Sequence, residues 1–308
     1  MPSSCSPIRC GPIFRETISR RRLMSSIAAN GGSVRRADGY GLSQLNLRIV
    51  SALVLGPLAI ACIYFGAPWF NALIATAVAI MAWEWTRMCC GSALTAESAL
   101  APLVVVAGLA AASFGHIWVA TSAVLAGGIC VGIVAFTLRR DLPVWAGSGV
   151  LLVGFAGIGL VWLRSTGDSG VIVVLWLFGA IWLTDTCAYF AGKTIGGPRL
   201  APRISPNKTW AGLFGGVIAS AAFSAAWLGW LQGQAIVNGI VLGVAVAVVA
   251  QLSDLTVSRV KRLAHVKDTG TLIPGHGGLL DRADGFLLNG TLIVLVALLG
   301  GKDVIPWQ

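Results

Sequence analysis

The chain is a succession of apolar runs, each close to the length of a bilayer crossing, separated by short turns or by connections rich in lysine and arginine. A helix of about 20 apolar residues crosses the ~30 Å hydrocarbon core. In lipid every backbone N–H and C=O needs an internal partner, so runs of this kind are predicted to be helical. The runs fall at about 49–66, 69–86, 98–115, 117–138, 143–163, 170–189, 210–231, 235–253 and 285–300. The fold class expected is therefore all-α, a polytopic integral membrane protein of nine transmembrane helices. Five spans are expected in 47–165 and four in 166–308. Composition excludes the soluble alternative: only 11% of the residues are charged and mean hydropathy is +0.82. A soluble domain carries about 25% charged residues to cover its surface.

The net charge of +10 has a similar explanation. In a soluble protein it would suggest nucleic acid, but here the positive-inside rule accounts for it. With the N-terminus on the cytoplasmic side, nine spans leave only Arg164 and Lys302, of 22 lysines and arginines, on the outer side. Residues 1–46 hold most of the early arginines among Ser and Gly, and are expected to form a basic, disordered cytoplasmic arm. No apolar core of signal-peptide length separates Arg20-Arg21-Arg22 from Gly31-Gly32. The seven cysteines include no CxxC pair and most lie in apolar runs, so neither a zinc site nor a disulfide framework is expected. In the first five spans Glu84 stands out, between Trp83 and Trp85. It is expected to snorkel to the interface between two belt tryptophans.

The acids of the last third carry more information. Asp185, Asp254, Asp268, Asp281 and Asp284 are all predicted at or near one face of the membrane, and carboxylates there are costly. If the eighth span continues beyond Asp254, spacings of four and seven place Asp254, Ser258 and Lys261 on one helix face. Carboxylate and hydroxyl oxygens suit Mg²⁺, and the lysine suits a phosphate held by that ion. Pro274-Gly275-His276-Gly277-Gly278 then gives a turn that lets N–H groups approach a ligand closely. Asp281 and Asp284, three apart at the entry to an apolar span, repel one another unless a cation relieves them. The connection after span six adds Asp185 to Tyr189 and Ser205-Pro206-Asn207-Lys208-Thr209-Trp210, which reads as a phosphate-binding helix start. Gly192-Lys193-Thr194 is no Walker A ending, because residue 187 is Cys187 where the first glycine should stand.

Together these segments resemble the phosphatidate cytidylyltransferase (CDP-diacylglycerol synthase) family. The likeness rests on Ser258, Lys261-Arg262, Lys267-Asp268, Pro274-x-His276-Gly277-Gly278 and Asp281-Arg282-x-Asp284, with two supporting runs at Asp185–Tyr189 and Ser205–Trp210. It covers roughly 185–300 well and the first five spans only in kind. Val257 stands where the family usually has an acid, Ala283 where it has a larger residue, and Asn207 where lysine is common.

The resemblance implies transfer of a cytidylyl group from CTP to phosphatidic acid, with Mg²⁺ as cofactor and room for a second cation. It implies catalytic roles for Asp254, Asp281, Lys261 and Ser258, and metal binding by Asp254, Asp281 and Asp284. Substrate binding falls to Lys208, Ser205, Thr209, Lys267, His276, Gly277, Gly278, Arg282 and Asp185. Expected partners are CTP, phosphatidic acid, membrane lipid and a second copy of the chain as a homodimer, with no nucleic acid. The expected location is the inner (plasma) membrane, with the site facing the cytoplasm. A transporter fits less well, because no half-to-half repeat is present and the acids gather at one face. A CTP-dependent polyprenol kinase would not explain the His-Gly-Gly and Asp-Arg-x-Asp pair. An alcohol phosphatidyltransferase would need an Asp-Gly-x-x-Ala-Arg run that is absent.

Overall fold

The computed structural model describes residues 53, 56–91, 95–167, 169–232, 236–270 and 277–300. The expected arm over 1–46, the start of the first expected span, Pro274, Gly275 and His276, and Lys302 lie outside the described residues. The protein is an all-α polytopic membrane protein. A short apolar helix, α1 (Gly56–Phe65), precedes eight helices long and apolar enough to cross a bilayer. These are α2 (Trp69–Cys90), α3 (Ala96–Ser113), α4 (Ile117–Thr137), α5 (Pro143–Arg164), α6 (Ser169–Thr194), α7 (Trp210–Gln232), α8 (Ile236–Leu263) and α9 (Leu280–Gly300). An antiparallel hairpin, β1 (Arg199–Ala201) and β2 (Ser205–Thr209), joins α6 to α7.

Four elements depart from the sequence reading. The Ser205–Thr209 run is a strand, paired through Arg199 with Thr209 and Ala201 with Ser205, where a plain loop was expected. Helix α6 runs five residues past the expected end at 189, to Thr194, so Lys193 is helical along with Asp185 and Tyr189. Helix α8 continues ten residues past the expected end at 253, and α9 begins five residues before the expected start at 285. In α6 and α8, of 26 and 28 residues, the polar residues extend an apolar helix beyond the lipid-matching length, and in α9 they form its first turn. Hydropathy alone cannot see such an extension, because exposed polar turns prolong a helix without changing its backbone geometry.

Helices α2 to α5 pack on one another, as do α6 to α8, and α9 lies against both α5 and α8. Between helices in lipid the packing comes from close approach of small residues rather than from a hydrophobic drive. Gly159 and Gly290 show this: a Cβ on Gly159 would lie 2.3 Å from the Gly290 carbonyl oxygen, and one on Gly290 would lie 2.5 Å from the Ala156 Cα. On the other flank the Ser220 hydroxyl donates to the Gly243 carbonyl (2.9 Å), and the Trp176 indole donates to Ser224 (2.9 Å).

Polar ties fix the two ends of the bundle. At one end Glu97, fully buried at the start of α3, accepts from Arg140 at 2.8 Å, joining α3 to the α4–α5 connection. The hydrogen bond to Glu97 raises the Arg140 guanidinium further above its ordinary value. At the other end Arg164 donates to the Ile63 and Tyr64 carbonyls (2.6 and 3.1 Å). The expectation for Trp85 is corrected: it is no belt residue but is fully buried, with its indole donating to the Trp145 carbonyl at 2.7 Å.

Gly290→Val should force α9 away from α5 and cost about 1–3 kcal/mol. It should lower the unfolding midpoint in detergent, whereas Gly229→Ala, where a Cβ meets only Ile236 at 3.5 Å, should leave it unchanged.

Candidate active site

The acids of the last third gather where the ends of α6 and α8 meet the start of α9. Asp254 and Ser258 lie one turn apart on the extended α8, and the Ser258 hydroxyl donates to Asp254 Oδ1 at 3.1 Å. The hairpin delivers Lys208 to the same carboxylate: its Nζ lies 2.5 Å from Asp254 Oδ2 and 3.0 Å from Gln251 Oε1. A cavity of about 520 Å³ opens here, lined by Asp185, Tyr189, Lys193, Lys208, Thr209 and Asp254 among others. The Thr209 hydroxyl accepts the Gly212 N–H (3.1 Å) and so caps the start of α7. Asp185, Asp254 and Asp284 are close enough to repel one another electrostatically.

A second group lies one turn along. Asp281, in the first turn of α9, accepts from Lys261 Nζ at 2.8 Å and from the Thr269 N–H at 2.9 Å. Both partners of the pair are only 13% exposed. Lys261 also interacts electrostatically with Asp284, so it joins the two groups. Ser253 ties α8 to α9 at this level: its hydroxyl donates to the Asp284 carbonyl and accepts the Leu288 N–H (3.2 Å).

Glu84 holds the second group from the far side, which overturns its expected role. It does not snorkel. Its carboxylate is fully buried and accepts the N–H groups of Leu279 (3.1 Å) and Leu280 (2.8 Å) and the Thr269 hydroxyl (3.4 Å). A carboxylate satisfies the orphan donors of a helix start and complements its dipole. The sequence signal was the cost of a span carboxylate; what misled was placing the end of α2 at 86, when the helix runs to Cys90 and keeps Glu84 inside. Gly278 belongs to the same arrangement, since a Cβ there would lie 2.1 Å from the Thr269 hydroxyl and 3.0 Å from Glu84 Oε2. Gly277 takes φ +88°, a left-handed conformation that suits glycine.

Ser205 is half-buried on β2, Lys267 and Arg282 are exposed, and His276 is outside the described residues. The acids expected to hold a metal divide between the groups, Asp254 and Asp284 in one and Asp281 in the other. Among the described residues no three His, Cys, Asp or Glu side chains form a metal-binding cluster by themselves. The donors are nevertheless all hard oxygens beside lysines. That set suits a divalent ion bound by one or two carboxylates and completed by substrate phosphates.

Residues 46–299 match the model described as the Cytidylyltransferase family. The chain belongs to this family. A protein of Brucella suis biovar 1 named phosphatidate cytidylyltransferase is 33% identical over 286 residues, covering 86% of this chain and 97% of that one. One of the same name from Haemophilus influenzae is 28% identical over 275 residues, covering 78% and 94%. One from Staphylococcus aureus is 41% identical over 140 residues, 45% of this chain and 54% of that one. In this chain Asp254 pairs with Lys208, and Asp281 with Lys261.

Glu84→Ala should leave the Leu279 and Leu280 N–H groups unsatisfied and cost on the order of 2 kcal/mol. Hydrogen exchange at the start of α9 should accelerate, and Glu84→Gln, which keeps one acceptor oxygen, should restore part of the protection.

Proposed function

We propose that the protein transfers the cytidylyl group of CTP to phosphatidic acid, forming CDP-diacylglycerol and pyrophosphate. The observation that carries this reading is the pair of lysine–carboxylate contacts, Lys208–Asp254 and Lys261–Asp281, at the membrane-edge ends of α8 and α9. They occur in a chain that aligns nearly end to end with proteins of that name. A phosphate oxygen of the lipid attacks the α-phosphorus of CTP, the bond between the α- and β-phosphates breaks, and pyrophosphate leaves with the electron pair. The attacking oxygen is already ionised at neutral pH, so no general base is required. The difficulty is bringing two polyanions together, and lysines held in place by partly buried carboxylates are positioned to meet the arriving phosphates.

Asp254, Asp281 and Asp284 would hold Mg²⁺, with room for a second cation. When bound, the ion neutralises phosphate charge and stabilises the leaving pyrophosphate. Lys208, Lys261, Lys267 and Arg282 orient the phosphates, while Ser258 fixes the Asp254 carboxylate by its hydrogen bond. These groups lie at one end of the bundle, where the extended helix ends meet the hairpin. That end holds Arg140, Lys208 and Arg262, the last donating to the Ile204 carbonyl at 3.2 Å. By the positive-inside rule it faces the cytoplasm, where CTP is available, in the inner or plasma membrane.

Asp254→Asn and Asp281→Asn should each lower the conversion of labelled CTP to a lipid-soluble product by about 100-fold or more, at saturating Mg²⁺ and phosphatidic acid. Near-wild-type rates would remove both acids from the reaction. A cysteine replacing Lys267 should react with an impermeant maleimide in inverted vesicles only; reaction from the outer side of intact cells would reverse the orientation.

A further inference from the structure

A larger cavity, of about 740 Å³, opens at the same end of the bundle and shares no lining residue with the first. The end of α2, the α4–α5 connection and the segment that follows α8 wall it, contributing Arg87, Asp141, Leu142, His265, Asp268 and Thr269. Thr269 connects it to the acid site, since its N–H donates to Asp281, the partner of Lys261. The two cavities therefore flank one row of groups running from Asp254 through Ser258 and Lys261 to Asp281.

Their walls differ in a way that separates two ligands. The first is bordered by exposed aromatics, Tyr189 at 62%, with Trp210 at 45% and Phe214 at 58% on the adjoining turn of α7. Lys193 lies 5.8 Å from the Tyr189 ring. Amphipathic aromatics with a lysine are the furniture of a lipid headgroup boundary. The second is lined by residues of helix ends and connections, and its volume falls within the ~300–1,000 Å³ typical of small-molecule sites. The side chains of Asp141, His265 and Asp268 make no hydrogen bond or ion pair with another described residue. The Arg87 guanidinium carbon lies over the Trp83 ring, 5.0 Å from its centroid.

We propose that this second cavity is the nucleoside subsite, while the lipid phosphate enters through the first; the assignment rests on the cytidylyl-transfer reading. The chemistry of cytidine matches the wall. Carboxylates accept from the cytosine 4-amino group and from ribose hydroxyls, which fits Asp141 and Asp268. A guanidinium held on an indole offers its second face to a planar base, which fits Arg87. With base and ribose there, the phosphates extend past Thr269 toward Lys261 and Asp281.

Two measurements on the purified full-length protein test this. In His265→Cys protein, maleimide modification at position 265 is followed by peptide mass spectrometry. CTP with Mg²⁺ should slow it about tenfold, and phosphatidic acid micelles should not. Protection by phosphatidic acid alone, or by neither, would overturn the assignment. In steady state, Asp268→Asn should raise KM for CTP about tenfold, leave KM for phosphatidic acid within about twofold, and narrow the preference for CTP over UTP, which lacks the amino group. Asp141→Asn provides the same test from the opposite wall. Equal changes in both KM values, or none in either variant, would sink the proposal. If the wild-type protein forms no CDP-lipid, the reaction reading fails, while the labelling result still judges the cavity.

Discussion

Much of this structure depends on one buried carboxylate. Glu84 sits in a span, with no access to water, and its negative charge is balanced by the N–H groups that open α9 and by the Thr269 hydroxyl. A charge in that position is tolerable only if its partners stay in place, since an unpaired buried carboxylate costs several kcal/mol. The requirement runs both ways. The helix start needs an acceptor, and the acceptor needs the helix start, so α2 fixes where α9 begins. Asp281 lies one residue beyond Leu280 and inherits that position, and through it so does Lys261.

From this anchor the two halves of the bundle acquire a common reference. Helix α9 packs against α5 through Gly159, Gly290 and Ala156, and against α8 through Ser253 and Asn289, whose amide donates to the Gly285 carbonyl at 2.9 Å and to Val246 at 3.4 Å. The acids of α8 and α9 are therefore held by packed helices rather than by a loop. A site for two polyanions needs this, because substrate charge would otherwise displace the groups meant to bind it. Lys208 and Lys261 each already face a carboxylate, so both ammonium groups are held in place by the fold.

The sequence made the spans legible because the bilayer imposes a length and a polarity on each helix, and eight of the long helices fall where the apolar runs fall. The pattern Asp254, Ser258, Lys261 was equally legible, since a period of 3.6 residues places spacings of four and seven on one face. The same rule could not report where helices end beyond the lipid. Lys193 was read beyond the sixth span and lies on α6, and Asp281 was read ahead of a span and lies within α9. Ser205–Thr209 was read as a loop because a five-residue strand with Pro, Asn and Lys has no alternating apolar face.

By itself the sequence determined a polytopic helical membrane protein, the clustering of its acids at one end, and a spacing of Ser, Lys, Gly and Asp residues that resembles one enzyme family. These follow from composition and local periodicity, which a linear chain records directly. Only the tertiary structure decided that Lys208 pairs with Asp254 and Lys261 with Asp281, and that Glu84 caps α9 from 196 residues away along the chain. Such contacts join positions distant in sequence, and their partners are chosen by helix packing. No period along the chain encodes them.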